Sequence, residues 1–268
     1  MGSYKYLTYR EDEGVAWITL NRPEVRNALN MELRGEIKQA LREAAGSEKV
    51  KIIVVTGAGG NFCAGADLKE FMTMEAKDIE AYLDRYGTAV IARMIMDLDK
   101  LVIAAVDGFC MAGGLEIVEA CDLAIATERA RFGQTEVNVG LMPGGGGTQM
   151  LVRLIGLKRA KEMVATGKLI DAYEAERIGL VNKVVPAERL EEEVKGLCVQ
   201  LLRKAPLTLK LIKKAVNYLT RKELEEGFKY EKELFIRCWL SEDRVEGIRA
   251  FLEKREPRYV GRDPLAER

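Results

Sequence analysis

The 268-residue sequence contains no histidine. That absence removes the Ser-His-Asp and Cys-His nucleophile arrangements, and every imidazole metal site with them. Acid/base chemistry then falls to Glu, Asp, Lys, Tyr or Cys. A charge excess is missing too, because 42 Lys and Arg balance 42 Asp and Glu. No global field draws in nucleic acid or an acidic membrane surface, so a charged ligand has to be met locally. The five cysteines, Cys63, Cys110, Cys121, Cys198 and Cys238, are dispersed and lack any C-x-x-C pair. They read as reduced thiols in a cytosol-like compartment, not as a disulfide framework or a zinc site. No apolar run approaches the roughly 18–20 residues of a membrane span, and Met1 to Arg10 lacks the apolar segment of a signal peptide. A cytoplasmic protein, without metal and away from the membrane, is expected.

What is present is a repeated unit. With 48% hydrophobic residues the chain can build a substantial core. Val15 to Leu20 is a β-prone run closed by Asn21-Arg22-Pro23, and Leu29, Leu33, Ile37, Ala40 and Leu41 follow at helical spacing. Lys51 to Thr56 is a continuous apolar strand stopping at Gly57. Val102 to Val106 repeats the pattern, ends at Gly108, and leads through small residues into a helical stretch, Leu115 to Ala120. Asp122 to Thr127 repeats it again, reaching the glycine run 144–147 and a helix from Thr148 to Ile155. Strand, glycine-rich turn and helix recur, which gives an α/β domain with helix N-termini along one edge, where ligands bind.

The last seventy residues carry helical patterns and no convincing strand. Pro206 suits the first turn of a helix bearing Leu207, Leu211, Ile212, Ala215, Val216 and Leu219. A second helix holds Leu224, Phe228, Leu234, Phe235, Cys238 and Trp239, and Ser241 caps a third with Val245, Ile248, Phe251 and Leu252 inward. The expected division is a core domain of residues 1–195 and a helical domain of residues 196–268.

The glycine runs do not spell a nucleotide site. Gly144 to Thr148 lacks the G-K-[ST] ending of a P-loop, and Gly57 to Phe62 lacks the third glycine of a dinucleotide fingerprint. An oxyanion site is the physical alternative, because N–H groups at a helix start have no intrahelical partner and can hold an oxygen that gains charge. Cys63-Ala64-Gly65-Ala66-Asp67 and Met111-Ala112-Gly113-Gly114-Leu115-Glu116 both have this character.

At these residues the sequence resembles the enoyl-CoA hydratase/isomerase (crotonase) superfamily. The resemblance runs through Leu20-Asn21-Arg22-Pro23, Ala64-Gly65-Ala66-Asp67-Leu68-Lys69, Gly113-Gly114-Leu115-Glu116, Phe132-Gly133-Gln134-Thr135-Glu136 and Pro143 to Gln149, and extends to Ala250 to Arg255. It implies a spiral of ββα units with a helical C-terminal oligomerisation part, a coenzyme A thioester as substrate and no separate cofactor. It also implies a thioester oxygen held by the N–H groups of Ala66 and Gly113, with Glu116 and Glu136 flanking a catalytic water. The coenzyme would be met by Arg26, Ala64, Ala66, Asp67, Leu68, Lys69 and Gly113, and by Lys254 from a neighbouring subunit of a homotrimer or homohexamer. Two carboxyls suit a histidine-free hydration, one taking a proton from water and one delivering a proton to carbon.

Two departures follow from the same resemblance. Glu24 stands where a coenzyme-binding lysine is usual, with Arg26 two residues on. Glu119 replaces a common apolar residue, and a buried ion pair with an Arg or Lys is expected of it. The stretch from Glu70 to Asp99, rich in Met and Tyr, is expected to shape the acyl pocket. A Δ3,Δ2-enoyl-CoA isomerase working through Glu136 is the nearest alternative. RNA binding through Lys210, Lys213 and Lys214 is a more distant one, since those lysines read as a solvated face.

Overall fold

The structure is a computed structural model describing residues 4–260, without the side chains of residues 219–222. Leu219 of the expected C-terminal stripe and the outer ends of both expected domains therefore lie outside the described residues. Among these residues the strands are β1 (Leu7–Asp12), β2 (Val15–Leu20), β3 (Ile52–Gly57), β4 (Leu101–Val106), β5 (Phe109–Met111), β6 (Leu123–Thr127), β7 (Arg131–Gly133), β8 (Ile170–Asp171) and β9 (Lys183–Val185). The helices are α1 (Met31–Gly46), α2 (Leu68–Thr73), α3 (Ile79–Tyr86), α4 (Thr88–Asp97), α5 (Gly113–Ala120), α6 (Gly147–Ile155), α7 (Leu157–Thr166), α8 (Ala172–Arg177), α9 (Leu190–Leu202), α10 (Pro206–Leu240) and α11 (Glu242–Glu253).

A six-stranded sheet runs in the order β1-β2-β3-β4-β6-β9. The β1–β2 pair is an antiparallel hairpin turned by Glu13 and Gly14, both at positive φ as a two-residue primed turn requires. Every later pairing in this sheet is parallel. Parallel strands are covered on both faces, so they read as unbroken apolar runs. Within each run the side chains alternate between two cores. Ile53, Val55, Val102 and Ala104 face the main core with α1, α4 and α5, whereas Ile52, Val54, Ile103 and Ala105 face Val194 and Cys198 of α9. The expected division between residues 195 and 196 falls inside that helix.

The strands β2, β3, β4 and β6 are each followed by a short excursion into a second layer and then by a helix. After β2 the excursion is Leu29, bridged to Ala66. After β3 it is Cys63 to Ala66, with Cys63 bridged to Cys110. After β4 and β6 it is β5 and β7, which pair in parallel, and β8 closes this layer against β7. The result is the ββα spiral. Its second layer stacks the ends of successive turns, and that stacking brings residues 66 and 113 to one place.

The C-terminal region departs from expectation at one point. The two helices expected between Pro206 and Trp239 are one 35-residue helix, α10. No Gly or Pro interrupts Ala215 to Leu224, so nothing in that stretch stops a helix once it has formed. The buried stripe of its second half is Leu224, Phe228, Glu231, Phe235 and Trp239, at steps of four, three, four and four. Ser241 caps α11 as expected, its hydroxyl accepting from the N–H of Arg244. Phe251 and Leu252, expected inward, are instead exposed in this chain.

Candidate active site

A cavity of about 840 Å³ opens where the second layer meets α5 and the turn before α6. Arg26, Ala64, Ala66, Asp67, Leu68, Lys69, Gly113, Glu116 and Glu136 all line it. Lys254 does not, being the left-handed C-cap of α11, although Phe251 and Leu252 of that helix reach the cavity rim.

The two N–H groups singled out from the sequence come from adjacent turns. Leu29 donates to Gly65 O at 2.8 Å and accepts from Asp67 N at 3.1 Å, so the bridge leaves the Ala66 N–H unused. Gly113 is the first residue of α5, where an N–H has no intrahelical acceptor. The turns touch. A Cβ at Gly65, whose φ is +94°, would stand 2.8 Å from Ala112 Cβ and 3.7 Å from Gly113 N. Ala112 is held at φ 48° and ψ −125°, a conformation that L residues rarely adopt and one costing about 1–3 kcal/mol. Its N–H donates to Gly133 O at 2.9 Å, which fixes the α5 start against β7. The strain sits beside the paired donors, as it does at preorganised sites.

Glu116 is buried in α5, as are all eight residues of that helix. Its Oε1 accepts from Gly145 N at 2.7 Å and Gly147 N at 3.0 Å. Burial pushes its carboxyl above the usual range, while these two N–H groups, the Arg34 cation and the Thr88 hydroxyl pull it back. Glu136 opens a short 3₁₀ turn after β7, and its Oε2 is buried with no partner among the described residues. Burial, then the charge of Glu116, hold this carboxyl well above the usual range. Both carboxyls are shifted toward the protonated form, Glu136 the more strongly, so of the two Glu116 is the readier to ionise. Neither is a solvated surface carboxylate.

Glu119 corrects the expectation of an ion pair. Among the described residues no cation meets it. Its Oε1 accepts from Gln134 Nε2 at 2.9 Å, and its Oε2 is unpartnered. Burial first, then the charge of Glu116, push its carboxyl well up, toward the neutral acid. It does not line the cavity.

Sequence reasoning passed over several residues that matter here. Glu231 of α10 accepts from Gly146 N and from Thr148 N and Oγ1. A signal for it existed, since an acid stands in the apolar stripe between Phe228 and Phe235. Arg34 and Thr88 both line the cavity and are hydrogen-bonded to each other. Arg22 also lines it. This arginine donates to Ala28 O and pairs with Asp67 at 3.1 Å. Asp67 in turn caps α2 by accepting from Lys69 N, so its carboxylate is engaged within the chain. Arg26 is exposed and lies over the Phe109 ring at 4.8 Å, at the cavity mouth beside exposed Lys69.

The apolar end is built by Phe71, Tyr82, Leu83, Leu141 and Phe235. Phe71 stands edge-on to Tyr82 at 5.6 Å and to Trp239 at 5.0 Å, a favoured aromatic geometry. Of the stretch expected to shape this pocket, Glu70, Phe71, Tyr82, Leu83 and Thr88 line the cavity and its methionines do not.

All five cysteines are free thiols. Among the described residues no group of three or more Cys, Asp or Glu is arranged to hold a metal ion. Of the C-terminal lysines expected on a solvated face, Lys214 is exposed, Lys210 partly so and Lys213 buried. Lys210 and Lys214 pair with Asp99 at 2.6 and 2.9 Å, and Lys213 is buried against Asp122 at 2.8 Å.

The profile of the enoyl-CoA hydratase/isomerase family matches residues 10–262. The chain is 38% identical over 264 residues to a crotonyl-CoA hydratase of Syntrophomonas wolfei, covering 97% of this chain and all of that one. It is 41% identical over 248 residues to a short-chain-enoyl-CoA hydratase of Clostridium acetobutylicum, covering 92% and 94% of the two. The crystal structure of an enoyl-CoA hydratase from Mycobacterium avium subsp. paratuberculosis superposes with a TM-score of 0.86 at 30% identity, covering 96% of this chain and 99% of that one. With the family profile matched over residues 10–262 and relatives of this identity spanning nearly its whole length, the chain belongs to the enoyl-CoA hydratase/isomerase family.

Proposed function

We propose that this protein is an enoyl-CoA hydratase, adding water reversibly across the 2,3 double bond of a 2-enoyl-CoA to give a 3-hydroxyacyl-CoA. The observation that carries the reading is two carboxyls in unequal surroundings, Glu116 cradled by N–H groups and Glu136 with an unpartnered buried oxygen, lining one cavity with Ala66 and Gly113. Glu116, kept as a carboxylate, takes a proton from water while the hydroxyl bonds to C3. The electron pair of the double bond moves toward the thioester, whose oxygen gains charge between Ala66 N and Gly113 N. Glu136, kept protonated, delivers its proton to C2. The proton taken by Glu116 is returned to Glu136 or solvent before the next turnover. Positioned acid/base groups contribute about 10²–10⁴ in rate, and an oxyanion donor about 3–4 kcal/mol.

An isomerase needs one carboxyl to move a proton between two carbons. The polar cradle around Glu116 favours hydration, since its two N–H donors support charge on a second carboxyl that isomerisation does not require. On this reading coenzyme A is part of the substrate and no further cofactor takes part. Arg26 and Lys69 at the mouth are the cations offered to its phosphates, and Lys254 reaches the coenzyme of a neighbouring copy. The exposed apolar face of α10, with Leu207, Leu211, Ile212 and Val216, supports assembly into a trimer or a pair of trimers. A cytoplasmic location accords with the free thiols. Among the described residues no helix is long and apolar enough to cross a membrane.

Loss of the conjugated thioester absorbance across a panel of short, long, branched and cyclic enoyl-CoA thioesters tests the reading. Turnover of at least one, unaffected by a chelator, is expected. No hydration of any member, or inactivation by the chelator, overturns it.

A further inference from the structure

We infer that Arg34, acting through the Thr88 hydroxyl, is the positioning residue that holds the Glu116 carboxylate in place at the reaction centre. The inference rests on the hydratase reading for the role it gives Glu116. Arg34 is 3% exposed and, among the described residues, forms no ion pair. Its Nε donates to Leu29 O at 3.3 Å, and its Nη1 to Tyr86 O at 3.2 Å and Thr88 Oγ1 at 2.8 Å. A guanidinium cannot accept a hydrogen bond, so the single hydroxyl hydrogen of Thr88 is free to go elsewhere. The carboxyl it faces is that of Glu116, which the Thr88 hydroxyl draws back toward the ionised form. The hydroxyl thus relays a cation to a carboxylate that the cation does not touch.

Four segments close on this point. A Cβ at Gly145 would lie 2.0 Å from Glu116 Oε2 and 2.5 Å from Thr88 Cβ. A Cβ at Gly113 would lie 3.0 Å from Thr88 Oγ1 and 3.8 Å from Arg34 Nη2. Arg34 on α1, Thr88 on α4, Glu116 on α5 and the turn before α6 are therefore in mutual contact range, and the three side chains all line the cavity. The other charged groups acting around Glu116 are acidic: Glu119 on its own helix, Glu136 from the turn after β7, and Glu231 from α10. A buried guanidinium left without countercharge is strongly unfavourable, and a buried carboxylate among acids is equally so. Each offsets the other through Thr88.

The test compares Thr88→Val, Thr88→Ser and Arg34→Met with wild type, reading the pH profile of kcat/KM for hydration. It also follows the infrared carboxyl titration of Glu116 in the free protein, isolated by difference against Glu116→Gln. Removing the cation raises the pH at which Glu116 ionises, so the acidic limb and the infrared midpoint should both move up, by about 1–3 units in Arg34→Met. Thr88→Val should move them the same way by less, lowering kcat with KM nearly unchanged, and Thr88→Ser should restore both. A folded Thr88→Val with lowered thermal stability but an unmoved limb and midpoint overturns the inference. The Thr88 pair decides it should Arg34→Met fail to fold. Should wild type hydrate no enoyl-CoA, the hydratase reading fails, while the infrared midpoints still decide whether Arg34 and Thr88 govern Glu116.

Discussion

Glu116 and Glu231 take alternate N–H groups from one four-residue stretch: Gly145 and Gly147 donate to Glu116, Gly146 and Thr148 to Glu231. The start of α6 is thereby held between α5 and α10. Helix starts leave N–H groups unpaired at the positive end of the macrodipole, and here two carboxyl groups satisfy them. The cradle that fixes Glu116 is thus fixed in turn from the C-terminal helix.

Glu116→Gln and Glu136→Gln should each lower hydration by at least about 10²-fold with the fold retained, because the amide keeps the shape and cannot exchange the proton. Any residual isomerase activity should depend more on Glu136. Circular dichroism and the absorbance assay check this, and near-normal hydration by either variant would remove that residue from the chemistry.

Gly145→Ala should lower kcat by about 10-fold or more while leaving KM for the thioester nearly unchanged. The added methyl would meet Glu116 Oε2 at 2.0 Å and Thr88 Cβ at 2.5 Å, so the carboxylate has to move from its cradle. Gly35→Ala is the control, since a Cβ there meets nothing within 4 Å.

Stability should fall as pH rises through the neutral range. Burial, then the charge of Glu116, push the Glu231 carboxyl up to about 8, so the folded protein holds a proton that the unfolded chain has lost. Its contribution is full below about pH 4.5 and is lost as pH approaches about 8. Glu116, Glu119 and Glu136 shift in the same direction. In urea unfolding between about pH 5 and 8, Glu231→Gln should flatten the slope by up to about 1.4 kcal/mol per unit. It should also be less stable at low pH, because its amide donor faces the N–H groups that Glu231 accepts. An unchanged slope would clear Glu231 as a source.

Lys254→Ala should raise KM for CoA thioesters and leave kcat nearly unchanged, since a contact to the remote coenzyme stabilises ground and transition states alike. Light scattering should give the mass of three or six chains. Ile212→Asp, on the exposed face of α10, should lower it. A fully active monomer at micromolar concentration would falsify the shared site.

The strand, glycine turn and helix repeat was legible in the sequence from its own periodicity. Val15–Leu20 is β2 to the residue, Lys51–Thr56 and Val102–Val106 lie within a residue of β3 and β4, and Ser241 caps α11. These features are local, because a buried parallel strand must be apolar along its length and a glycine or a cap acts within a turn of itself. The resemblance that points to Ala66, Gly113, Glu116 and Glu136 rests on short motifs for the same reason. What those motifs could not supply is the company each side chain keeps. Glu119 meets Gln134 and not a cation, and Arg34 meets Thr88 across 54 positions. Glu231 meets Gly146 across 85 positions. Such pairings depend on how the spiral stacks α1, α4, α5 and α10 against one another, and burial then decides which carboxyl keeps its charge. Periodicity reports which face of an element is covered, whereas the tertiary structure alone decides by what.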